Sequence, residues 1–550
     1  MKKIIICALA IFLSATAFAN NQEGIDYYDA GQLKPAKEFF ENQVSRASGA
    51  SLAEALYYLG QIAFDEGKIA EAASLFQRGA QVDPSNVFNR IGEGMVLLQQ
   101  NNRRAATDIF NAAIRANRRN IDVYIAVARA FLKNGMTTEA RENLAVARRY
   151  DHRNARLFVL EGDIEAAENN IGAAASAFNQ AFTLDPTLKI AYLRYARVYY
   201  TINPDLAIER LEQLLAANPN YTIAYRELGE IHYYKGAFQR AIEAYSKYFA
   251  EGASVYSMDD QVRYANILFV SKEHAQSLAL VQDGLQREPN NFPLSRLKMY
   301  NEFELGNFDA ATKAANHFFS LGNIEGNRFI SLDYVFHSRL MTALENTPAA
   351  IESLKKALEI DPNNADLYKQ IAEAYRSLGN FESGIPFYRE FIERSGDRLQ
   401  SLDFFNFGQY LYSAATNITN ENGATTPELT AKRNDLLTQA DAQFAIVQER
   451  SPNSHLGALW RARSQAQIDR SSELGLAKPH FESVVSILTS GEGELTSARQ
   501  RDLIEAYSYL GYYYYSQRMF EESRGFWNRI LALDPTNEQA IRAQQLPGIR

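Results

Sequence analysis

The side chains that most often carry chemistry are scattered in this sequence. Its seven histidines are His152, His232, His274, His317, His337, His455 and His480. No two stand four residues apart with a glutamate between them, so the helix that presents two histidines to a catalytic zinc is absent. No glycine-rich phosphate loop and no Gly-x-Ser-x-Gly elbow occurs. The lone cysteine is Cys7, within a leader expected to be cleaved, which leaves the mature chain no thiolate nucleophile, thiolate metal site or disulfide. His337 reads as a structural histidine. The acidic pairs Asp259-Asp260 and Glu521-Glu522 read as solvated or first-turn acids. Gly92-Glu93-Gly94 falls in mid-helix, where its glycines serve helix packing. These residues give no catalytic, cofactor-binding or metal site, and the expected chemistry is that of binding, by aromatic rings and guanidinium groups.

The elements that position those groups are helices in a repeat. Proline follows Asp, Asn or Glu at Pro84, Pro186, Pro219, Pro289, Pro362 and Pro535. Pro84 to Pro186 is 102 residues, three units of 34, and Pro186 to Pro219 is 33. The clearest unit runs from Ala53 to Asn86. Leu56, Leu59, Gly60 and Ala63 recur on one helical face. Gly67 ends that helix, Ala72, Phe76 and Ala80 carry the buried face of a second, and Pro84 closes the unit. A small residue recurs in the first helix at Gly60, Gly94, Ala128, Gly162, Ala196, Gly229, Ala265, Ala372, Gly408, Ala462 and Gly511. A second small slot holds Ala36, Ala72, Ala106, Ala140, Ala174, Ala207, Ala241, Ala311, Ala350 and Ala440.

This pattern of large apolar residue, Leu-Gly, Gly, Ala, aromatic and Asp-Pro at a 34-residue period resembles the tetratricopeptide repeat (TPR). The resemblance covers nearly the whole chain beyond residue 20. It implies an all-α fold, an α-solenoid wound as a right-handed superhelix of about fourteen helix-turn-helix units. About eleven units are expected over 20–400, and the stack is expected to continue over 401–550. Long loops are expected near 413–427 and 489–497, where residues exceed the period. The polar segment after Thr536 reads as a capping helix.

In this family the leading helix of each unit lines a concave groove that holds partner peptides or domains. The residues here in those lining positions are Tyr57, Phe64, Arg129, Arg197, Tyr200, Arg226, Tyr233, Tyr234, Phe269, Arg296, Tyr300, Phe303, Arg339 and Arg376. Aromatic anchors with arginine are the composition of binding hot spots, although the same rings could pack the groove and the arginines pair with Glu230, Glu304 or Glu373. Chaperone-binding members clamp a C-terminal carboxylate with Lys and Asn. Here Lys369 is followed by Glu373, so that function does not carry over.

Lys2 and Lys3, the apolar run Ile4 to Leu13 and Ala17-Phe18-Ala19 before Asn20 read as a secretory signal over 1–19. The run falls short of the roughly 20 residues of a spanning helix. Export to a bacterial periplasm follows as the expectation, with outer-membrane association through a partner and no later transmembrane segment. Removing the leader leaves 55 basic and 65 acidic side chains, which disfavours nucleic acid as partner. Against that balance, 103–156 carries twelve basic and five acidic residues. Arg118, Arg119, Arg148, Arg149 and Arg153 fall at turns and form a candidate basic edge for an anionic partner, or simply offset helix dipoles.

The leading expectation is a non-enzymatic scaffold or adaptor. Glycan- or glycolipid-capture proteins of SusD type are a second, though they carry a lipid-bearing cysteine and irregular insertions not found here. A lytic transglycosylase would need an appended catalytic lobe for which no stretch remains. Trp460-Arg461-Ala462-Arg463 with Gly475-Leu476-Ala477-Lys478-Pro479 resembles late repeats of envelope proteins of the Bacteroidetes group.

Overall fold

The computed structural model describes residues 21–250, 256–418, 426–490 and 495–549. The expected leader (1–19), its cleavage residues Ala17, Ala19 and Asn20, and Cys7 lie outside the described residues. So do the cores of both expected loops, 419–425 and 491–494.

Every regular element among the described residues is helical. Leading and trailing helices alternate along the chain. The first pairs are α1 (Gln22–Asp29) and α2 (Leu33–Val44), α3 (Gly49–Asp65) and α4 (Ile69–Val82), and α5 (Val87–Gln99) and α6 (Arg103–Ala116). Next come α7 (Ile121–Lys133) and α8 (Thr137–Arg148), α9 (Ala155–Ala167) and α10 (Ile171–Leu184), and α11 (Lys189–Tyr199) and α12 (Pro204–Ala217). They are followed by α13 (Thr222–Tyr234) and α14 (Phe238–Phe249), α15 (Met258–Val270) and α16 (His274–Arg287), and α17 (Phe292–Glu304).

The chain divides after Leu305 into two compact units, Met1–Leu305 and Gly306–Arg550. The second unit holds α18 (Phe308–Ser320), α19 (Ser331–Ala343), α20 (Thr347–Ile360), α21 (Ala365–Ser377), α22 (Phe381–Ser395) and α23 (Ser401–Thr416). It continues with α24 (Pro427–Arg450), α25 (His455–Ile468), α26 (Lys478–Thr489), α27 (Ser497–Ser516), α28 (Phe520–Leu533) and the short α29 (Glu538–Ala543). Among the described residues the sequence order is thus fourteen leading–trailing alternations and a final cap helix, an α-solenoid.

The small slots explain the packing. A methyl added at Gly60 would lie 2.5 Å from the Phe76 ring, one at Gly94 2.4 Å from Phe110, and one at Gly162 2.4 Å from Phe178. Gly229 meets Tyr245, Gly408 meets Phe444 and Gly511 meets Trp527 in the same way. In each pair the leading helix gives up its side chain so that the trailing helix can insert a fully buried ring. Gly92 faces Phe76 of the preceding repeat while Gly94 faces Phe110 of its own, so the Gly-Glu-Gly triplet is a two-sided packing device.

The turns are built locally. Asp83 accepts from the backbone N–H and the hydroxyl of Ser85 at 3.0 and 2.6 Å, and Asp185–Thr187 and Asp534–Thr536 repeat the arrangement. Asparagines at 86, 102, 120, 154 and 203 accept from the first free N–H groups of the helices they precede. Gly67 adopts φ 75°, the left-handed cap that stops α3.

The surplus residues are spent differently from expectation. Helix α23 continues through Ser413 to Thr416, and α24, with 24 residues against 14 in α4, absorbs part of the excess. Helix α27, with 20 residues, absorbs part of the second. A helix satisfies its own backbone groups as it lengthens, whereas a loop must find partners for them in turns, side chains or water.

Candidate partner-binding groove

Five of the expected groove residues converge. Arg197 and Tyr200 follow one another along α11 and past its end, Arg226, Tyr233 and Tyr234 lie on α13, and together they line a pocket of about 370 Å³ with Glu227, Glu230, Ile231 and Arg263 of α15. Successive leading helices place them there, because residues one period apart occupy equivalent faces. Tyr234 is 56% exposed at the rim, with the Tyr200 ring edge-on at 5.1 Å.

Ion pairs run from helix to helix along the floor. Arg197 holds Glu227 through two nitrogens, at 3.1 and 2.6 Å. Arg226 holds the buried Asp260 at 2.6 Å and touches Glu227 at 3.1 Å. Arg263 holds Glu230 at 2.8 Å, and the Tyr245 hydroxyl donates to the same carboxylate. Burial alone would raise the Glu227 carboxyl, but Arg197 and Arg226 outweigh it and hold the group below the usual glutamate range. Burial likewise works against the Arg226 charge, and Asp260 and Glu227 more than offset it. The arginines are therefore fixed in direction and largely neutralised, and the rim tyrosines are the accessible contact groups. Glu227 and Arg263 were not singled out in the sequence, and Asp260, read there as a solvated or first-turn acid, is a first-turn acid that is buried and closes the capping box with Ser257. Opposite charges one period apart on leading helices, such as Arg226 and Asp260, are the signal that could have found them.

The first repeat reaches across the same face. Arg197 donates to the carbonyl of Ala30, Lys189 of α11 holds Asp26 at 2.7 Å, and Lys133 of α7 holds Tyr28 at 2.6 Å and Asp65 at 2.6 Å. Tyr27 and Ala30 share one buried core with Tyr192, Ile223 and Leu228. Within the first unit the row of leading helices thus curls until α1 meets α7 and α11. Burial raises the Asp29 carboxyl against the pull of Arg129 and Arg194, and lowers the Lys133 ammonium against the pull of Asp65. Sequence periodicity reports neighbours one unit apart and carries no information on contacts five units apart.

The other expected groove residues are placed as follows. Tyr57 is wedged against Tyr58, Phe76 and Phe88, and burial pushes its hydroxyl up to about 12. Phe64 and Tyr300 are 8% and 3% exposed and pack the layer rather than open a groove. Arg129 faces Asp29 and Asp163, whose charges offset its burial. Phe269 packs on Tyr300 at 5.5 Å, Arg296 lies over Phe292 and Arg339 over Phe336. Phe303 is half-buried on α17. Arg376 pairs with Glu373 at 3.5 Å, and Lys369 is taken by Asp403 at 3.0 Å. His337 contacts the Ser353 hydroxyl at 2.8 Å and the Phe319 ring, and burial lowers its pKa. Of the basic edge, Arg148 is drawn onto Glu161 and the Phe158 ring, whereas Arg118, Arg119, Arg149 and Arg153 are exposed at two turns. Among the described residues no group of three or more His, Cys, Asp or Glu could hold a metal ion, and no helix is long and apolar enough to cross a membrane.

Tetratricopeptide-repeat family models match residues 53–86, 125–189, 198–254 and 365–398, and a TPR-repeat model matches 340–379. The chain is 27% identical over 164 residues to BBSome complex member BBS4 of Xenopus tropicalis, covering 29% of this chain and 31% of that protein. It is 24% identical over 251 residues to the tetratricopeptide repeat and J domain-containing co-chaperone DNJ1 of Cryptococcus neoformans, covering 43% and 45%. The chain spans less than half the length of either relative. Among solved structures, the C-terminal part of a TPR repeat-containing protein from Cytophaga hutchinsonii is 27% identical. That match covers 52% of this chain and all of that one, with a TM-score of 0.39. Proteins of this repeat family generally bind other proteins and are generally not enzymes. Matched repeats lie in each of its two compact units, and the chain carries tetratricopeptide repeats.

Proposed function

We propose that the protein is an exported, non-enzymatic scaffold of a bacterial envelope that holds a segment of a partner protein against α11, α13 and α15. The observation that carries the reading is the pocket with Tyr200, Tyr233 and Tyr234 at its mouth over a floor of paired arginines. Exposed rings on a rigid base provide large contact area at little entropic cost. The leader-like first nineteen residues support export to the periplasm. The low share of unpaired charge in the pocket favours a protein segment with apolar and hydrogen-bonding groups over a highly charged ligand.

The test is affinity capture of the tagged full chain from the cell that makes it, with fractionation, beside a Tyr200→Ala/Tyr234→Ala variant. The reading expects the protein in the periplasmic fraction and a protein partner that the variant loses. Recovery from the cytoplasm, or a glycan or glycolipid in place of a protein, would overturn it.

A further inference from the structure

We infer that Arg118, Arg119, Arg149 and Arg153 form a second docking surface, separate from the pocket, for an acidic segment of a partner protein. The four are exposed at two successive turns, 117–120 between α6 and α7 and 149–154 between α8 and α9. None has an ion pair among the described residues. Of their neighbours in the same basic stretch, Arg103 pairs with Glu139, Arg141 with Glu165 and Glu168, and Arg156 with Asp122, while Arg104 and Arg115 are exposed on helix α6 itself.

The two turns are tied together. Tyr124 donates its hydroxyl to the Arg118 carbonyl at 3.0 Å, and the ring of Tyr150, from the second turn, packs on Tyr124 at 5.7 Å between centroids. Tyr150 remains 48% exposed between the arginines. A fixed backbone with long cationic side chains and one exposed ring suits forked contacts to carboxylates beside an apolar contact.

Helix capping does not account for the arginines at 118 and 119. The end of α6 is closed by Asn117, whose side chain donates to the Ala113 carbonyl at 3.0 Å, and these two residues lie beyond it. The equivalent turns on either side carry Asp83-Pro84-Ser85 and Asp185-Pro186-Thr187. The cationic surface is therefore two turns wide, bounded by carboxylates, and holds one carboxylate of its own, Asp151, which is turned inward to accept from the Arg153 backbone N–H at 3.1 Å and the Asn154 side chain at 3.3 Å. Those flanking charges would repel an extended anionic membrane, whereas a short acidic segment fits between them.

The probe is a fluorescein-labelled eight-residue Asp/Glu peptide, titrated against the full chain. The comparison proteins are R118Q/R119Q/R149Q/R153Q and a control that removes four exposed arginines elsewhere, R240Q/R499Q/R501Q/R518Q. We expect salt-sensitive binding that falls about tenfold in the first variant and is unchanged in the control, with both variants melting as the parent does. Equal loss in both variants, no loss in either, or binding of anionic vesicles in place of the peptide would overturn the inference.

Discussion

Arg197 on α11 donates to the backbone carbonyl of Ala30, 167 residues earlier, while the same guanidinium holds Glu227 of the next leading helix. One side chain thus fastens the first repeat to the sixth and the sixth to the seventh. Arg197→Ala should cost about 1–3 kcal/mol, the range for removing a charged hydrogen-bonding partner from a part-buried site. The loss should be local, because a solenoid unfolds repeat by repeat. Amide exchange over 22–44 is expected to accelerate before that of 121–184, and equal acceleration everywhere would contradict this picture.

Two helical glycines are predicted to behave in opposite ways. A methyl at Gly94 would sit 2.4 Å from Phe110, so Gly94→Ala should destabilise by about 1–3 kcal/mol through overpacking. Gly525, exposed in the interior of α28, has nothing within 4 Å. There Gly525→Ala should stabilise by about 0.5–1 kcal/mol through helix propensity. Thermal unfolding of the two variants checks the signs.

The left-handed cap that Gly67 occupies is filled by Glu345 at φ 58° and Lys272 at φ 65°. A side chain in that conformation costs roughly 1 kcal/mol. Glu345→Gly is expected to raise the melting temperature of the second unit, offset in part by the freer unfolded chain. A fall would show that Glu345 makes a compensating contact.

Much of the fold was readable because the repeat enforces local rules. Gly60 and Phe76 are sixteen residues apart in one unit, and the next unit writes the same pair again as Gly94 and Phe110. The pocket was readable in part, since Arg226, Tyr233 and Tyr234 hold fixed positions on a leading helix. What periodicity could not supply is contact between distant repeats: Lys133 with Tyr28, Lys189 with Asp26, and Arg197 with Ala30 depend on curvature accumulated over several units. The surplus near 413–427 was misplaced in part because the polar sequence at the start of α24 also suits an exposed helix face.

Acid should loosen the stack. Burial lowers the pKa of His232, His337 and His480 below the usual histidine value. A folded state that resists protonation is stabilised above the unfolded pKa of about 6.5 and loses that contribution as pH falls below it. The melting temperature should therefore drop between pH 6.5 and 5, and His337→Asn should flatten part of the slope. Glu227 adds a second loss at lower pH, because its depressed pKa contributes stability above the ordinary glutamate value that disappears as the pH falls through the depressed one. A flat profile down to pH 5 would contradict the assignment of these histidines as buried and neutral.

The groove is best tested at its exposed ring and not at its arginines. Replacing Arg226 would strand the buried Asp260, at a cost of roughly 3–5 kcal/mol, and so confuse unfolding with lost binding. A photo-crosslinking amino acid at position 234, activated in the cell that makes the protein, reports directly on what occupies the pocket. The same group at Glu243, exposed on the trailing helix α14, is the comparison. The account predicts a discrete protein adduct from position 234, absent from position 243 and lost with Tyr200→Ala. Adducts of equal yield from both positions, or none from either, would contradict it.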